Sequence, residues 1–181
     1  MADVKRSLAD LLLLFADNTT GDISPQDLRD LAVSLSNAHG RISIDTPAAT
    51  TIGVAGTFVK AAGSTVASGI GVEFTEGTAN RLTYTGTPTR HVHMTANLTL
   101  NAIGTNQVVS AAIAVNGVVQ SASEAATIIK VSGDGLSLSL AYDLHMTTND
   151  YVEVWVTNET STGDVTVENL YFHAAAMFAG V

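Results

Sequence analysis

Hydrophobic positions near the start of the chain recur every three or four residues. Leu8, Leu11, Leu12 and Phe15 share one face at that period, which predicts an amphipathic helix. A run of turn formers, Asn18-Thr19-Thr20-Gly21-Asp22, interrupts it. Ser24-Pro25-Gln26-Asp27 then reads as a second helix start: Ser24 can cap free amides, Pro25 suits the first helical position, and Asp27 sits near the positive end. Leu28, Leu31, Ala32 and Leu35 form its expected apolar stripe, and Asn37-Ala38-His39-Gly40 its stop, with Gly40 placed for a left-handed cap. Helices below about 12–15 residues are marginal alone, so this pair needs a partner surface.

From about Thr51 the period changes to two, the signature of half-buried strands. Val92, Met94, Ala96, Leu98 and Leu100 alternate with His91, His93, Thr95, Asn97 and Thr99. Leu136, Leu138, Leu140, Tyr142, Leu144 and Met146 alternate in the same way with Ser137, Ser139, Ala141, Asp143 and His145. Asn116-Gly117 between apolar runs predicts a tight hairpin, because the favoured turn needs positive φ at both central residues. Gly133-Asp134-Gly135, Asn149-Asp150 and Thr162-Gly163-Asp164 mark further turns, followed by strands over Tyr151–Thr157 and Val165–His173. Short strands with regularly spaced turns predict a mainly β protein, an antiparallel jelly-roll sandwich over residues 41–181, preceded by a two-helix segment over residues 1–40.

Composition narrows the function classes. Of 181 residues, 8 are Lys or Arg and 17 are Asp or Glu, a formal charge of −9 that repels nucleic-acid phosphates and anionic lipid surfaces. Without cysteine, disulfide scaffolds, zinc knuckles and thiol catalysis are excluded. The longest apolar run, Leu11 to Ala16, is far short of a membrane span, and bracketing by Asp10 and Asp17 favours a helix over a signal peptide.

Leu11 to Leu35, and above all Gly21-Asp22-Ile23-Ser24-Pro25-Gln26-Asp27-Leu28-Arg29-Asp30, resembles an N-terminal module of tailed-phage virion proteins: head fibres, decoration proteins and tail fibres. Ala112–Val119 and Leu144–Val156 resemble the trimeric jelly rolls of the tumour-necrosis-factor and complement-head type, with Asn149 where a glycine is usual. The resemblance implies a homotrimer on a virion surface, assembled in a bacterial cytoplasm. Leu8, Leu11, Leu12, Phe15, Leu28, Leu31 and Leu35 would dock it on the capsid or another virion protein. The shortness of the chain favours a capsid knob over a shafted fibre; a tail-tip protein contacting host glycan is the alternative, and a carbohydrate-binding module or small glycosidase a third.

Candidate chemistry is sparse. In a parallel trimer His91 and His93 near the axis would form a ring of imidazoles suited to a transition metal, but solvent-facing or hydrogen-bonded histidines are the ordinary reading, and no metal or cofactor is assigned. Asp134, Asp143, Asp150 and Asp164 fit turns better than a calcium site. The chain has no nucleophile elbow, zincin motif or phosphate loop, so no catalytic residue and no enzyme activity is expected. Tyr151 and Trp155 share a strand face with Glu153; left open it would be a ligand platform, covered it would be core, and the covered reading is favoured for Trp155.

Overall fold

A computed structural model describes residues 10, 13, 23–34, 37–69, 71–77 and 80–179, with residues 33, 34, 178 and 179 described by backbone alone. Helix α1 spans Pro25–Ser34 and starts as its sequence predicts. Ser24 Oγ accepts the Asp27 amide at 3.2 Å, while Asp27 Oδ2 accepts the Ser24 amide at 2.8 Å, a reciprocal cap on two otherwise free donors. The expected stripe does not pack as a stripe. Leu28 is 56% exposed, Ala32 is exposed, Leu31 is half-buried, and it is Asp30 that is buried, accepting a bond from Gln26 Nε2. Among the described residues α1 is the only complete α-helix; Asp10 and Leu13 are helical and exposed, while Leu8, Leu11, Leu12, Phe15 and Leu35 lie outside the described residues.

Gly40 is not a helix cap. Sheet structure begins at His39, earlier than the alternation from Thr51 suggests, and Gly40 belongs to β1 (His39–Pro47), paired with Ala174. A side chain there would meet Phe74 Cβ at 2.4 Å, so the residue is small because another element presses on it, not because its φ is positive.

The remaining strands are β2 (Ala49–Thr50), β3 (Val59–Lys60), β4 (Gly63–Ala67), β5 (Phe74–Thr75), β6 (Arg81–Tyr84), β7 (Arg90–Ala102), β8 (Gln107–Val115), β9 (Val118–Val119), β10 (Ala125–Ile129), β11 (Leu136–Met146), β12 (Tyr151–Asn158) and β13 (Val165–Ala179). They form two antiparallel sheets. The first runs β11-β7-β13-β1-β4, with β2 added to β13; the second runs β10-β8-β12-β6-β5, with β3 added to β12 and β9 to β8.

Alternation assigns the faces as the sequence predicts. Val92, Met94, Ala96, Leu98 and Leu100 of β7 are buried with Phe172 and Ala174 of β13 and with Val152, Val154 and Val156 of β12. The apolar run of β8 is covered on both faces from Val109 to Ala114. Asn116 and Gly117 have φ of 50° and 77°, the paired positive values the hairpin requires, and Asn149 takes φ 74°. These two turns are bonded together: Asp150 accepts from Asn116 Nδ2 at 2.8 Å, and from the amide and hydroxyl of Thr147.

Candidate interaction faces

The first sheet turns one face outward. Because β7 and β11 pair directly, with His93 opposite Asp143 and His91 opposite His145, their polar positions form a grid. On the other side of β7, β13 places His173 beside Thr95 and Ala175 beside His93, and β1 places Arg41 beside His173 and His39 beside Ala175. All five histidines of the chain therefore share one end of one sheet face. His93 Nδ1 donates to Asp143 Oδ1 at 2.6 Å, and the rings of His91 and His145 stand 5.0 Å apart at 31°. Burial holds the His173 pKa below the usual histidine value, and positive charge on His39, Arg41 and His93 lowers it further. As the side chains stand, no three His, Asp or Glu groups among the described residues meet as a metal site.

Beyond the histidines, and past Arg41, which donates to the Tyr171 hydroxyl at 3.4 Å, the same face carries uncharged side chains. A row of Val66, Ser43, Tyr171, Asn97 and Ser139 crosses all five strands, and Asn169, Thr99 and Ser137 form the next. All of these side chains except Val66 line a groove of about 460 Å³. Tyr171 stands 41% exposed, while neighbouring Phe172 is wholly buried on the opposite face. A bulge in β13 between Val167 and Asn169 adjusts the register beside the groove.

The predicted aromatic face lies on the second sheet and is engaged rather than open. Tyr151 and Trp155 are both half-buried and flank Glu153, which is 2% exposed. Lys60 Nζ and Arg81 Nη2 reach Glu153 Oε1 at 2.9 and 2.8 Å, Trp155 Nε1 donates to Oε2 at 3.0 Å, and the Arg81 guanidinium lies 3.7 Å from the Tyr151 ring centre. Burial works against the carboxylate charge, but the bonds from Lys60, Trp155 and Arg81 outweigh it and the pKa falls below the ordinary glutamate value. The aromatic rings thus wall an ion cluster. Its acid was visible in sequence only as one Glu between Val152 and Val154, and its cations come from strands far away in the chain.

Compared with solved structures, the two-sheet arrangement has near relatives in shape. Murine APRIL superposes with a TM-score of 0.52 at 8% identity, over 77% of this chain and 99% of APRIL. Eiger TNF from S. frugiperda gives 0.56, also at 8% identity, over 80% of this chain and 95% of Eiger. The fold is a tumour-necrosis-factor-like jelly roll. No family model matches the sequence, and no curated protein matches it. The tumour-necrosis-factor-like region contains both the histidine face and the Glu153 cluster, while α1 precedes its first strand.

Proposed function

We propose that the chain is a structural virion protein of a tailed phage, a homotrimeric head fibre or decoration protein docked by its N-terminal segment. The observation that carries this reading is the tumour-necrosis-factor-like jelly roll with an uncharged row of side chains, centred on exposed Tyr171, across its first sheet. A chain of charge −9 whose first sheet keeps this middle strip uncharged, with Arg41 bonded to Tyr171 at its edge, has a strip suited to meeting its own copies with little like-charge repulsion. The exposed Leu28 on α1 supports the docking role, since a short helix gains stability by burying such a side chain against a partner. The phage assignment rests on the resemblance of residues 21–30. The tail-tip alternative draws less support, because the aromatic rings it would use are occupied by Arg81 and Glu153.

Light scattering on the purified chain tests the assembly: three chain masses are expected, and Tyr171→Lys should shift the population toward one. A stable monomer overturns the homotrimer. For location, gold-labelled antibody against the chain should mark capsids on purified virions. Label confined to tails would favour the tail-tip reading, and unlabelled virions would overturn both.

A further inference from the structure

We infer that His91, His93 and His145 form a binding site for a divalent transition metal such as zinc, with Asp143 as the residue that orients His93. The site belongs to a single chain, so it stands or falls separately from the trimer.

The register supplies the ligands. His91 and His93 project from the same face of β7, two residues apart, and His145 lies directly opposite His91 on β11. Three imidazoles at these corners are a complete protein ligand set for zinc that leaves a fourth position open. Two imidazoles bound tetrahedrally at metal–nitrogen distances of about 2.0–2.1 Å place their ring centres about 5 Å apart. His91 and His145 stand at 5.0 Å.

The fourth corner of the grid identifies the metal-facing nitrogen of the third ligand. Asp143 accepts from His93 Nδ1 at 2.6 Å, so in the neutral ring the proton is on Nδ1 and the free lone pair on Nε2. A carboxylate behind a histidine is the usual support of a metal ligand: it fixes the tautomer and raises the basicity of the other nitrogen. The His93 and Asp143 side chains are about half exposed; closing the triangle requires His93 to change rotamer with Asp143 following it, a change that exposed side chains make rapidly. Imidazole ligands select zinc, nickel or copper over calcium and magnesium. Of the remaining groups on this end of the face, His173 is on β13 itself, opposite Thr95 and diagonal to His93, while His39 and Arg41 lie beyond it on β1.

Titration calorimetry of the full chain with zinc chloride at neutral pH should show one zinc per chain. His91→Asn and His145→Asn should each weaken binding at least tenfold, and Asp143→Asn by about 10–100-fold, the usual range for a supporting carboxylate. His39→Asn and His173→Asn should leave it unchanged. Absence of saturable binding overturns the site, as does binding that survives His91→Asn together with His145→Asn. One zinc per three chains would overturn it too, placing the metal between copies. The unmodified protein gives an independent reading by NMR: zinc should move the ring resonances of His91, His93 and His145 far more than those of His39 and His173, and the reverse pattern overturns the assignment.

Discussion

At Glu153 a carboxylate inside a β sheet is held ionised by three donors on one side chain length of protein. Losing a partner from a fully buried ion pair costs about 3–5 kcal/mol. Lys60 and Arg81 are each 29% exposed and regain water when released, so Glu153→Gln should cost less, about 1–3 kcal/mol, as a lowered urea midpoint. Because the folded-state pKa is depressed, this stabilisation is present above the ordinary carboxylate range and is lost as pH falls through the folded value. The variant should therefore lose less stability than the parent on acidification below about pH 4.3. His173 acts at milder pH. Its pKa is also depressed on folding, so between the unfolded value of about 6.5 and the folded value the unfolded chain binds more protons, and stability declines as pH drops. Urea midpoints at pH 7.5 and 5.5 should converge partly in His173→Asn, with the remaining histidines unchanged.

Among the elements, β1 shows how one close approach dictates a residue. Gly40→Ala should destabilise by about 1–3 kcal/mol in thermal or chemical unfolding, the range for overpacking a closed site, because Phe74 leaves no room for the methyl group. This is also where the chain hid its structure from a sequence reading. A glycine after a helical segment looks like a cap, and its actual reason comes from β5, more than thirty residues later. By contrast β7, β11 and the Asn116-Gly117 hairpin were legible, since period-two alternation and paired positive φ are local signals. The candidate site was half legible for the same reason. His91 and His93 announce themselves two apart, but their meeting with His145 and Asp143 is a property of the β7–β11 register, which no local pattern specifies. Tyr151 and Trp155 were placed on one face correctly; the Lys60 and Arg81 that cover them arrive through β3 and β6.

For the whole molecule, the proposed assembly belongs to the jelly roll and the proposed docking to the segment before it. A shortened chain beginning at Asn37 keeps β1 intact and should retain three chain masses in light scattering, while one beginning at Arg41 removes the first two residues of β1, including the His39 bonds to Val72, and should melt lower. The antiparallel pairing of His39 with Ala175 has a geometric consequence. The strand by which the chain enters the sandwich and the strand by which it leaves meet at one pole, together with the turns at Asn116-Gly117 and Asn149-Asp150. The segments between β7 and β8, β10 and β11, and β12 and β13 gather at the other. Any tether is therefore on one side, and the opposite pole is free to diverge without disturbing attachment. A short epitope tag inserted after Gly133, where a side chain would meet nothing but both backbone groups bond to β7, should be displayed to antibody at a modest cost in melting temperature, smaller than that of the same insertion at Asn116-Gly117, whose turn is tied to Asp150. That asymmetry would make the domain a display scaffold with a fixed foot and an editable crown.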